Sequence, residues 1–152
     1  MAFRRPLGLQ SRVMTEKPAA DSGSIQRTRD SLGRCVGCDT FLNRFYELFI
    51  GSSPQVAELF QATDLGRQKR MLRDSLYVML VAAGTTKGPA HDELERLAKL
   101  HQNLGVTEEM FALWLDALVE AAREHDTHFT DELESDWRVS MEGAIELMSS
   151  HG

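Results

Sequence analysis

The chain is 152 residues long, 42% hydrophobic and 26% charged, which suits one globular domain large enough to bury a substantial core. Its formal net charge of −6, with no long basic run, argues against a nucleic-acid backbone as the main partner. The longest apolar run, LYVMLVAAG, is far too short to span a bilayer, and the N-terminus has no continuous apolar segment of the secretory kind. A cytoplasmic protein, with neither membrane nor nucleic acid as partner, is the expectation.

Residues 1–21 lack periodicity and contain two prolines, so they read as a disordered tail ahead of one domain over 22–152. Beyond them the pattern is helical throughout. Proline is scarce, Val and Ile are few, and no alternating run is long enough for a strand. Helices are predicted over 24–36 and 39–50. GSSP then ends the second and starts a short third, with Ser53 as N-cap and Pro54 at the first helical position. A longer helix is predicted over 64–83, closed by the Gly-rich GTTKGP, and another over 90–103, stopped by Gly105. Thr107 caps a helix reaching Glu124, and Thr130 caps the last, which runs to Ser149. The apolar stripes of these two are Met110, Leu113, Leu118 and Ala121, and Trp137, Met141, Ile145 and Met148. Seven or so unequal helices on one core describe an all-α globular fold, not a symmetric bundle.

The two cysteines form a CxxC, Cys35 and Cys38. Such a spacing serves redox chemistry or half of a zinc site, but there is no second CxxC and no thioredoxin-like strand–helix context. They read as structural thiols, with an incidental or regulatory disulfide as the alternative. His91, His125, His128 and His151 fall in predicted loops or at helix ends and read as solvated polar groups; an adventitious metal at His125 and His128 is the weaker reading.

His101 stands apart. Leu94, Leu97, Ala98 and His101 lie at i, i+3, i+4 and i+7, so an imidazole continues an apolar helical stripe. It is either a core histidine with both nitrogens hydrogen-bonded or a ligand for something buried. In the preceding long helix Gln68, Leu72, Ser75, Leu76 and Met79 share one face, with a polar amide at its leading end. Gln68 either sits on a wet rim or aims its amide into a pocket. Further upstream, RFYELFIGSSPQVAELF supplies Tyr46 among more aromatic bulk than one helix face needs, and closes on Phe60. Tyr46 is a core aromatic or a hydrogen-bond donor inside a cavity.

The combined order of these residues resembles a bacterial haemoglobin of the myoglobin-like globin superfamily, similar to single-domain globins and the globin domain of flavohaemoglobins. FYELFIGSSPQVAELF resembles the family's second and third helices, RQKRMLRDSL the distal helix and LAKLHQNLGV the proximal one. The resemblance implies a globin fold of about seven to eight helices enclosing one haem b. By position, His101 becomes the proximal iron ligand, with the Leu97 carbonyl one turn back as acceptor for its other nitrogen. Phe60 packs on the haem face, and Leu72, Val106, Phe111 and Leu115 become further haem contacts. Tyr46 and Gln68 become distal donors to O2, together contributing ~1–3 kcal/mol in a dry pocket, enough to slow its escape tenfold or more. CO, which carries less charge, benefits less.

Some positions depart from the family pattern. The stretch between Phe60 and Gln68 is shorter than in flavohaemoglobins. Phe111 stands where those proteins carry a proximal-side Tyr, which argues against peroxidase-like activity. The resulting expectation is a globin that binds O2, and also NO and CO, for transport, storage or scavenging. The alternatives are an NO dioxygenase drawing electrons from a separate reductase, and a gas or redox sensor acting through a separate partner. No nucleophile–base arrangement or phosphate-cradling loop is evident.

Overall fold

Short polar side chains set the helix starts. The computed structural model describes residues 20–150, apart from the Ser150 side chain. Asp21 accepts the Ser24 N–H at 2.7 Å and opens α1 (Ser22–Val36), two residues earlier than predicted. The rest of the expected tail, residues 1–19, lies outside the described residues. α2 spans Thr40–Ile50, and Ser53 caps α3 (Pro54–Leu59) by accepting the Val56 N–H, with Pro54 in the first turn as expected. Asp64 caps α4 (Leu65–Ala83). Thr107 caps α6 (Glu108–His125), and Thr130 accepts the Leu133 N–H at the start of α7 (Asp131–Ser150).

α5 (Pro89–Leu104) begins a residue before its predicted start, because Pro89 occupies the first turn, where its missing N–H costs nothing. At its other end Gly105 adopts φ 81°, a left-handed conformation that strains any side-chain-bearing residue. That turn lets the Val106 N–H donate back to the His101 carbonyl at 3.0 Å, so Val106 folds under the last turn of the helix. The described residues therefore form seven helices and no strand. None is long and apolar enough to cross a membrane.

α2 packs on α6, α1 and α5 pack on α7, and α4 crosses α5 and α7, so α6 and α7 form the spine of the core. The stripe of α7 is as expected at Trp137, Met141 and Met148, which are buried, while Ile145 is only half-buried. In α6 the predicted stripe holds at Leu118 and Ala121, which are fully buried, and is displaced in its first half. Phe111, Leu115, Leu118 and Ala122 are buried, whereas Met110 and Leu113 lie at its margin. The reason is that α6 is gripped by α2 on one side and α7 on the other, so two neighbouring stripes are covered and the single-face reading chose their edge.

A polar seam runs through this apolar framework. The Asp126 side chain, at the corner between α6 and α7, is fully buried and accepts Arg34 Nε at 2.7 Å and the Ser31 hydroxyl at 2.6 Å. The Trp137 indole N–H donates to Ser31 Oγ at 3.0 Å, and the His128 N–H donates to Asp126. Burial pushes the Asp126 pKa upward, but Arg34, Ser31 and the His128 N–H together outweigh it and hold the carboxyl at about 2. Every member of the seam has found its partner inside the protein.

Candidate functional site

The residues singled out from the sequence gather into two clusters. The first is carried by α2, α3 and the start of α4. Tyr46 is buried beside Phe45 and meets Phe60 edge-on, the ring centroids 5.6 Å apart. Phe49 stacks on Phe45 and meets Phe60 in turn, so the aromatic surplus of α2 is consumed in holding Phe60 and the Tyr46 ring. Phe60 itself is half-buried at the C-cap of α3. The Tyr46 hydroxyl donates to the backbone carbonyl of Gln68 at 3.4 Å, the long limit of a hydrogen bond. Burial pushes the phenol up to about 12, against the weaker opposing influence of that bond, so it remains a proton donor at neutral pH. Gln68 is half-buried on α4 and meets Tyr46 through its backbone, not its amide. One turn on, Leu72 faces the core, as do Leu76 and Met79, which bears out the helical phase read for this segment.

The second cluster lies at the C-terminal end of α5. Leu94 and Ala98 are fully buried, Leu97 is half-buried, and His101 extends their stripe to the edge of a cleft of about 480 Å³. That cleft is lined by His101, Val106, Thr107, Phe111 and Met148, a size usual for a small-molecule site. Phe111 approaches the imidazole edge-on at 5.8 Å and offers it no acceptor. Met148, from the far end of α7, was not singled out as a site residue. Its signal was present, since it continues the stripe of Trp137 and Met141, but nothing local says that the ends of α7 and α5 meet. Leu115 is buried in the core behind this cleft and is absent from its lining. A larger groove of about 920 Å³ between α4, α5 and α7 contains none of the expected site residues.

His101 Nδ1 is the one buried side-chain polar atom among the described residues that lacks a hydrogen-bond partner. The Leu97 carbonyl, expected to accept from it, lies close enough to favour the protonated ring but does not complete a hydrogen bond. Burial is the larger influence and lowers the His101 pKa, favouring the neutral imidazole that a metal ion requires. A structural histidine in this molecule behaves differently. His91 lies in the first turn of α5, not in a loop, and its Nε2 donates to the Ala82 and Thr85 carbonyls at the end of α4. His125 likewise ends α6 half-buried and hydrogen-bonded, not as a solvated group. His151 lies outside the described residues.

An unequal-helix all-α fold with an imidazole on an apolar helical stripe beside a cleft is what a globin presents. The chain is similar to protein PA3967 from Pseudomonas aeruginosa PAO1, whose crystal structure is described as structurally highly homologous to a human hemoglobin. The two share 33% sequence identity, with a TM-score of 0.79, over 84% of this chain and 97% of that one. No protein-family model matches the chain, and no curated protein does. At this identity and coverage the chain belongs to the globin family, beside bacterial single-domain members, and a globin fold implies a haem cofactor. The residues present fit such a group: an imidazole favoured in its neutral form, at the edge of a cleft to which Val106, Phe111 and Met148 contribute apolar surface.

Proposed function

We propose that the protein is a haem b globin that reversibly binds O2, and also NO and CO, with His101 as the proximal ligand. The observation that carries this reading is the His101 imidazole at the edge of the cleft, which burial favours in its neutral form and whose Nδ1 is turned toward the Leu97 carbonyl, leaving Nε2 as the ligating nitrogen. When bound, the haem, held through His101, would supply an iron centre able to take up a diatomic gas.

What the chain contributes follows from its own side chains. Burial keeps the His101 ring neutral, and the turn at Gly105 presses Val106 against the helix end that carries it. Phe111 and Met148 give the cleft apolar surface beside the imidazole, alongside polar Gln102, Thr107 and Glu108 in the same lining. On the other cluster, Phe45 and Phe60 pack on the Tyr46 ring, so its hydroxyl has little freedom beyond rotation about the C–O bond. Its 3.4 Å bond to the Gln68 carbonyl is weak enough to yield to a stronger acceptor in the distal space. Gln68 and Leu72 complete that side, the first as a second donor and the second as an apolar wall. Leu115 backs Phe111 from the core.

The test is the absorption spectrum of the purified protein reconstituted with haem, taken ferric, ferrous and under CO. A Soret band that shifts between these states is expected; its absence after reconstitution would end the proposal.

A further inference from the structure

Away from the haem-binding residues, the corner between α1 and α2 assembles two thiols, a hydroxyl and an imidazole that the globin reading does not use. Cys38 is exposed in the linker, and its Sγ lies 3.0 Å from the Thr40 hydroxyl oxygen. That oxygen lies 2.8 Å from His125 Nε2, which α6 delivers from 85 residues away in sequence. His125 Nδ1 lies 2.8 Å from the Ala121 carbonyl, which only accepts, so Nδ1 carries the hydrogen. In the neutral ring Nε2 therefore holds the lone pair. Thr40 donates to it, and the Thr40 oxygen is left to accept the Cys38 S–H. The three groups form a directional proton path from thiol to imidazole. His125 is the last residue of α6, and Phe41 packs against it edge-on.

The second thiol is within reach. The Cys38 N–H donates to the Cys35 carbonyl at 3.0 Å, a turn that brings the two α-carbons into the separation a disulfide spans. Cys35 is fully buried in the last turn of α1.

We propose that Cys38, Thr40 and His125 form an activated-thiol site that reacts with low-molecular-weight disulfides, with Cys35 as the resolving thiol. Cys38 gives up its proton through Thr40 to His125, and the thiolate attacks one sulfur of the reagent RSSR. The S–S bond breaks, and RS⁻ leaves with the electron pair and takes the proton held by His125. Cys35 then attacks Cys38 Sγ, and the second RS⁻ departs with the Cys35 proton. Two protein thiols are oxidised to one disulfide while RSSR is reduced to two RSH. The Thr40 hydrogen bond lowers the Cys38 pKa, whereas burial raises that of Cys35 to about 12, so ring closure is the slow step.

The test follows the haem-loaded protein by intact mass after addition of oxidised glutathione near neutral pH. Wild type should pass through one glutathione adduct to a species lighter than the starting protein by two hydrogens, and Cys35→Ser should stop at the adduct. Thr40→Val and His125→Gln should each slow adduct formation by roughly fivefold or more, and Thr40→Ser should restore it. Circular dichroism checks that each variant is folded. Equal rates in wild type, T40V and H125Q would overturn the activation path, as would a T40S rate as slow as that of T40V. A wild-type adduct that never resolves would overturn the role of Cys35.

Discussion

The Asp126 seam and the His101 cleft are both places where polar groups enter an apolar core, and they resolve the problem in opposite ways. At Asp126 a buried carboxylate is met by a guanidinium, a hydroxyl and a backbone N–H, and the hydroxyl is itself met by an indole. At His101 the buried Nδ1 is turned toward the Leu97 carbonyl without a completed hydrogen bond, and the imidazole lines the cleft. Asp126 is thus satisfied within the fold, whereas His101 turns Nδ1 toward its own helix backbone and presents its ring to the cleft, where an external ligand would meet Nε2. The seam is where the fold spends its polar groups on itself; the cleft is where one is held in reserve.

The sharpest way to break this contrast is to remove the open group. His101→Ala should abolish proximal ligation, read as collapse of the ferrous and CO spectra, while the haem-free protein stays within about 1 kcal/mol of wild-type stability because no internal bond is lost. A large loss of haem-free stability would show His101 to be structural. Asp126→Asn should do the reverse. It is expected to cost ~2–4 kcal/mol in denaturant unfolding and leave the CO spectrum in place, with part of the loss softened because Arg34 reaches solvent.

The same seam predicts a pH dependence. The folded pKa of about 2 lies below the ordinary 3.8, so the stabilisation of roughly 2 kcal/mol is present above about pH 4 and fades as the pH falls toward 2. Acid unfolding of Asp126→Asn should lack that contribution. Tyr46→Phe should speed O2 dissociation about tenfold, or ~1.4 kcal/mol, while shifting the unfolding midpoint little, since only a 3.4 Å bond is lost. An unchanged off-rate would place the hydroxyl outside the distal pocket. The smallest effect is expected at Gly105. An added Cβ there meets no neighbour, so Gly105→Ala should cost only the ~1 kcal/mol of a left-handed residue, measured by thermal unfolding.

Much of the fold was legible because its signals are local. Ser53, Thr107 and Thr130 cap helices through side chains three residues from the N–H groups they satisfy, and Gly105 ends α5 by its own dihedral freedom. The phase of α4, with Leu72, Leu76 and Met79 inward, follows from spacing alone. The α6 face was read correctly at Leu118 and Ala121 but missed at Met110 and Leu113, because a helix gripped on two sides has no single stripe. Of the site, the inward direction of His101 was legible, and so was the surplus of aromatics around Tyr46. Met148 as a wall of the His101 cleft was not, nor was the carbonyl, in place of the amide, as the point where Gln68 meets Tyr46.

Sequence by itself determined the helices, their caps, the one imidazole on an apolar stripe and, through the order of motifs, the globin resemblance. Each of these depends on residues within a turn or two of one another, where covalent geometry does the aligning. Only the tertiary structure decided which buried polar groups would be satisfied, because their partners arrive from distant helices. Arg34 reaches Asp126 across 92 positions, and Thr40 reaches His125 across 85. The setting of His101 is decided in the same way, since Phe111 from α6 packs edge-on against its ring and Met148 from α7 joins it in lining the cleft.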